Sequence, residues 1–157
     1  MMKPTKPKSI KDFLLGILFM AILGLIAYGL AWLFQSEPEP GDIKVYSGDA
    51  EIVTQRFITA EEKKKSVTDF TRIDLAEDAD ELPEIIMDKS IMLEATQDPI
   101  TDMYYSLYDE NMEEVYYRQV SFTYPDYPGS YYIVIDTMWG TSDHKFTTQH
   151  GFELIIE

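Results

Sequence analysis

The sequence predicts one N-terminal transmembrane α-helix followed by an all-β, mainly antiparallel domain of two packed sheets. Three observations carry that prediction. Phe13 to Phe34 reads FLLGILFMAILGLIAYGLAWLF, with no charged residue, Asn, Gln, Ser, Thr or Pro. From Gln35 onward, aromatic and β-branched runs are broken by short Gly, Pro and Asp clusters, the composition of strands joined by tight turns. In the later runs apolar residues return at every second position, the period of a strand with one buried face.

Residues 1–12 form a short tail in which Lys3, Lys6, Lys8 and Lys11 face a single Asp12. Positive charge beside a membrane segment stays on the cytoplasmic side, so the expected topology is N-terminus cytoplasmic and C-terminal domain outside. Residues 13–34, at a rise of about 1.5 Å each, reach across the roughly 30 Å hydrocarbon core of a bilayer as one helix. Tyr28 and Trp32 fall near the outward end, at headgroup level. A cleaved secretory signal is the main competitor, and Ala27-Tyr28-Gly29 or Gly29-Leu30-Ala31 would serve as its small-x-small site. Its apolar core normally runs only about 7–15 residues, so length favours an uncleaved signal anchor. The buried helix of a soluble protein is a third reading, and a lipoprotein signal is excluded because the chain has no cysteine. Ala27 and Ala31 form a small-x-x-x-small pair of the kind that lets membrane helices approach each other.

Residues 35–42 (QSEPEPGD) read as a stiff Glu/Pro linker. Residues 43–157 then suffice for one small domain, with 43–82 a possible separate covering segment. Strands are expected at 43–46, 51–58, 67–74, 84–87, 91–95, 103–108, 114–124, 131–139 and 147–156. Turns are expected at 47–49, 88–90 and 109–111. The run 61–65 (EEKKK) is read as a helical turn or a solvated loop, and the acidic run 74–84 as a loop. In 131–139 one face carries Tyr131, Ile133, Ile135, Thr137 and Trp139, which marks the core side.

The formal charge of −15 is unevenly placed: from Gln35 onward nine Lys/Arg stand against 27 Asp/Glu, a balance of −18. Such a segment repels phosphate backbones, which excludes nucleic acid as a partner. Without cysteine there is no disulfide and no thiolate metal site. An exported domain of that composition suits a Gram-positive bacterium.

Pro128-Gly129-Ser130-Tyr131, then Trp139, then His150-Gly151-Phe152-Glu153-Leu154 resembles the closing hairpin of immunoglobulin-like β-sandwich domains in small membrane-anchored or exported proteins of Gram-positive bacteria, best over 128–156. The resemblance implies structural roles for Gly129, Tyr131, Trp139 and Phe152. Tyr131 would pin the corner by a hydroxyl-to-backbone hydrogen bond, and Trp139 would fill the core. His150 stands where an aromatic residue is usual. The resemblance supplies no catalytic residues.

Candidate chemistry is sparse. His144, His150 and Asp143 would make a two-His-one-carboxylate metal site only if the last hairpin folded them together, and their spacing matches no standard motif, so no metal or cofactor is assigned. Asp74, Glu77, Asp78, Asp80, Glu81 and Glu84 offer hard oxygens to calcium, but the glycine-bearing loop that gathers them is missing. The tyrosine pairs 104/105, 116/117 and 131/132 must split between two faces, which suggests an exposed patch of Tyr105, Tyr117 and Tyr132 for binding, unless 43–82 covers it. The expected function is therefore a membrane-anchored extracytoplasmic binding or accessory module, partnered with the bilayer and a cell-envelope protein, and not an enzyme. The alternatives are a structural or immunity-type protein acting through its transmembrane helix, and an envelope hydrolase using paired carboxylates.

Overall fold

The computed structural model describes residues 10–33 and 38–157. Lys3, Lys6 and Lys8 of the tail, Phe34 of the expected span and residues 35–37 of the linker lie outside the described residues. Two compact units result, Met1–Glu37 and Pro38–Glu157. The first contains helix α1, Ile10–Leu33. Its stretch Phe13–Ala31 is long and apolar enough to cross a membrane and is not buried in the protein, as a core helix would be. A membrane anchor and a signal sequence both satisfy that description.

The second unit is a mostly antiparallel β domain. Its strands are β1 Ile43–Ser47, β2 Ala50–Val53, β3 Gln55–Lys63, β4 Ser66–Asp69, β5 Glu84–Ile86, β6 Ile91–Ala95, β7 Tyr104–Tyr108, β8 Glu114–Gln119, β9 Gly129–Gly140 and β10 His144–Ile156. Helix α2, Leu75–Asp78, runs into a single 3-10 turn at Ala79–Glu81. A small sheet is ordered β2-β1-β6, and a larger one β4-β3-β10-β9-β7-β8. β5 lies parallel to the last residues of β10, pairing Leu154 with Ile85. The long β9–β10 hairpin, paired from Lys145↔Gly140 to Ile156↔Gly129, is the spine of the larger sheet.

Alternation explains the core. Ile133, Ile135, Thr137 and Trp139 of β9 are all buried, and with Phe152 and Leu154 of β10 they meet Ile43 and Val45 of β1 from the small sheet. Ile43 and Val45 are fully excluded from solvent, so residues 43–47 belong to the core rather than to a separate cover. Trp139 Nε1 donates to Thr148 Oγ1 at 2.7 Å. Tyr131 Oη donates to the Tyr127 carbonyl at 3.0 Å, a corner bond over four residues. Gly129 opens β9 at φ +153°, a conformation that favours glycine.

Several expected elements are corrected. The run 51–58 is two strands, because Thr54 turns the chain from the small sheet to the large one. Its amide and its hydroxyl both donate to the Ile43 carbonyl, each at 3.0 Å. The lysine run is neither helical turn nor open loop: β3 continues to Lys63, and Lys64 and Lys65 form a two-residue hairpin at φ +50° and +85°. Strand 67–74 stops at Asp69, and strand 114–124 stops at Gln119, next to Arg118 at φ +46°. The acidic loop is instead α2 and its 3-10 turn, because Asp74 caps it: Asp74 Oδ1 accepts from the Ala76 amide at 3.1 Å.

The linker reading of 40–42 changes too. Arg56 Nη1 donates to the Pro40 carbonyl and to Asp42 Oδ1, at 2.8 and 2.7 Å. Gly41 lies against the Trp139 ring so closely that a Cβ there would sit 2.5 Å from Cζ3. These residues are built into the β domain.

Candidate functional site

The larger sheet has one face on the core and one turned away from it, and the outer face carries a convergent set of polar side chains. Register assigns it. Tyr104 pairs with Asp136, Ser106 with Val134 and Tyr108 with Tyr132, so the even residues of β7 and β9 share that face. On β10 it is continued by Thr147, Gln149, Gly151 and Glu153, opposite Met138, Asp136, Val134 and Tyr132.

Part of this face is roofed. Residues 73–82 cross it, held by Gln149 Oε1, which accepts from the Ile73 amide at 2.9 Å. Ala79 and Leu82 are buried beneath the crossing. Gly151 permits the close approach, since a Cβ there would stand 2.8 Å from Leu82 Cδ2 and 3.2 Å from Ile73 Cδ1. Within 43–82, residues 73–82 thus lie over this face, while β1 is core.

Beside the roof the face opens into a groove. A cavity of ≈550 Å³ lies between residues 71–76 and the sheet, with Leu75, Met112, Val134, Tyr108 and Gln149 in its wall. A second, of ≈200 Å³, is lined by Tyr104, Tyr117, Arg118, Asp136 and Met138. The two are neighbours: Arg72 lines both, and Gln149 Nε2 of the first donates to Asp136 Oδ1 of the second at 3.0 Å. Arg118 lies over the Tyr104 ring, 4.8 Å from its centroid, a cation–π contact. Burial, then the nearby Glu114 and Asp136 carboxylates, raises the Tyr108 phenol above its usual value, so it is neutral and able to donate at physiological pH.

Of the three tyrosines expected to form a patch, Tyr117 lines the groove and Tyr132 lies on the same face beside Glu153, but Tyr105 does not. Tyr105 pairs with Ile135, packs edge-on to Phe122 at 5.7 Å and joins the core, where burial raises its phenol. Tyr104 and Tyr108 take its place. The signal for this was in the sequence: Leu107 needs the core, so period two from Leu107 turns Tyr105 inward. Arg72 carried no comparable signal, because only the crossing chain brings it beside Asp136 and Gln149, which face each other across β9 and β10.

The histidine trio does not assemble. His144 Nε2 contacts Glu61 Oε1 at 2.6 Å, while both ring nitrogens of His150 are engaged inside the core. Among the described residues no three His, Asp or Glu stand together as metal ligands. In the acidic run Asp74 caps α2, and its own amide donates to Asp78 Oδ2 at 2.8 Å.

Comparison with protein-family models, with curated proteins and with solved structures found no match to this chain.

Proposed function

We propose that this chain is a single-pass membrane protein, N-terminus cytoplasmic, displaying an acidic immunoglobulin-like β-sandwich outside the cell as a binding module for a partner in the cell envelope, without chemistry of its own. The groove carries the binding reading. It combines the volume, apolar wall and few converging polar groups of a ligand site on one sheet face. The length of the apolar span and the four lysines before it support an anchor of that orientation. Two sheets sharing one core support a sandwich, and the Tyr131 corner bond with buried Trp139 supports the immunoglobulin-like part.

The test is paired capture of the tagged full chain from gently crosslinked native membranes. One variant has α1 exchanged for an unrelated apolar helix, and the other carries Tyr104→Ala with Tyr117→Ala. Retention of a crosslinked partner by the helix exchange and its loss from the tyrosine variant is the expected result. The reverse pattern would assign the interaction to the helix and replace this reading with the structural or immunity-type one.

A further inference from the structure

Arg72 and Arg118 are two of the three arginines in the chain, and both line the smaller cavity of the groove. The third, Arg56, is paired with Asp42. Neither groove arginine makes an ion pair with a described carboxylate, in a stretch that carries 27 Asp/Glu. Both side chains are solvent-exposed where they line the cavity, so an incoming ligand reaches both guanidiniums without displacing an ion-pair partner.

Arg118 also holds an uncommon backbone. At φ +46° it occupies the left-handed region that costs a non-glycine residue roughly 1–2 kcal/mol. It does so where the β7–β8 register slips between Tyr105 and Leu107. A bulge of this kind re-aims a side chain. Its amide is satisfied by Ser106 Oγ at 3.2 Å, and its guanidinium carbon lies over the Tyr104 ring, 4.8 Å from the centroid. The same cavity holds an acceptor: Asp136 Oδ1 is taken by Gln149, and Oδ2 makes no hydrogen bond with a described residue.

We infer that the groove, read above as a binding site, takes a monoanionic carboxylate that bears a neighbouring N–H donor and an apolar arm, the chemistry of an N-acyl amino acid or of the last residue of a peptide. The inference rests on that binding reading. The carboxylate meets Arg72 and Arg118, whose planar forks match its two oxygens. The N–H donates to Asp136 Oδ2. The apolar arm lies in the larger cavity against Leu75, Met112 and Val134, which opens beside Arg72. A single charge suits the site better than a phosphate dianion, because Asp136 and the −18 balance of the domain repel each added negative charge.

The test uses the full chain in nanodiscs of zwitterionic lipid, with the Arg72 and Arg118 Nε–H resonances followed by NMR near pH 6.5. The probes are N-acetylphenylalanine, N-acetylphenylalaninamide and phenyl phosphate. N-acetylphenylalanine should shift both arginines saturably and bind at least tenfold tighter than its amide and than phenyl phosphate. Arg72→Gln and Arg118→Gln should each weaken it about tenfold with the backbone amide spectrum preserved, while Lys89→Gln, removing the same charge elsewhere, leaves it unchanged. Equal binding of the acid and its amide in the groove overturns the anion assignment and leaves the binding reading standing. Tighter phenyl phosphate overturns the monoanion. If no probe moves a groove resonance, both readings fall.

Discussion

His150 makes the fold acid-sensitive, and the hydrogen bonds around it define how much. Thr54 Oγ1 spends its only proton on the Ile43 carbonyl at 3.0 Å, so at 3.1 Å it must accept from His150 Nδ1–H. Trp139 Nε1 donates to Thr148 Oγ1, which leaves Thr148 to donate to His150 Nε2 at 3.0 Å. The ring is therefore the neutral Nδ1–H tautomer with both nitrogens satisfied, lying edge-on to Trp139 at 5.8 Å. A proton on Nε2 would face another donor, inside the core and near the Arg56 charge. Burial, reinforced by Arg56, lowers the folded pKa from 6.5 to about 3. Between those values the unfolded chain binds the extra proton, so stability rises with pH across that window and falls on acidification, by about 1.4 kcal/mol per unit. From pH 7 to pH 4 the loss integrates to about 3 kcal/mol, a large share of the 5–15 kcal/mol typical of a domain. The many carboxylates titrate in the same range, so the assay compares the full chain with His150→Phe in zwitterionic micelles. Both carry Trp32→Phe, and Trp139 fluorescence follows urea unfolding at half-unit pH steps. The stability of the histidine form relative to the variant should drop by about 3 kcal/mol between pH 7 and pH 4. A difference constant to within about 0.5 kcal/mol over that range would refute the buried, neutral assignment.

Two further substitutions probe close backbone approaches. Gly41→Ala puts a methyl 2.5 Å from the Trp139 ring, which is itself fixed by Thr148, so it should cost about 1–3 kcal/mol in urea unfolding and expose residues 38–42 to protease. Gly151→Ala meets the mobile ends of Leu82 and Ile73 instead, so a smaller loss of about 1 kcal/mol is expected, with faster amide exchange at Ile73 as the roof lifts from Gln149.

The alternation of β9 and β10 was legible because each strand has one face that must be dry, and a slip of one residue would bury Asp136 and Glu153 in place of Ile135 and Phe152. The same rule, anchored on Leu107, also settles β7. Other features were hidden for physical reasons. Thr54 switches sheets with two bonds to one carbonyl, a long-range event that no local pattern announces. Lys64 and Lys65 adopt positive φ without glycine or asparagine to signal it, so the β3–β4 hairpin looked like a charged loop. The acidic run became a helix because Asp74 and Asp78 bond the backbone, a use of carboxylates that composition does not separate from solvation. The groove was the least legible of all, since Arg72 and Arg118 are distant in sequence and come to line one cavity only in the fold.

The histidine that departs from the aromatic expectation follows the same logic as the groove. At position 150 the ring does the packing of an aromatic residue against Trp139, yet its two nitrogens also tie β10 to Thr54, where the chain leaves the small sheet. Arg56, two residues further on, grips Pro40 and Asp42, where the chain joins β1. Both junctions of the small sheet with the preceding and following chain are thus fixed by long-range polar contacts within a few residues of Trp139. The β7–β8 edge is held differently: its register slips, Arg118 lies against Tyr104 and Ser106, and Tyr124 beyond β8 donates to the Ile91 carbonyl and accepts from its amide. Polar side-chain ties thus hold the small sheet to the chain on either side of it, at Thr54 and at Arg56.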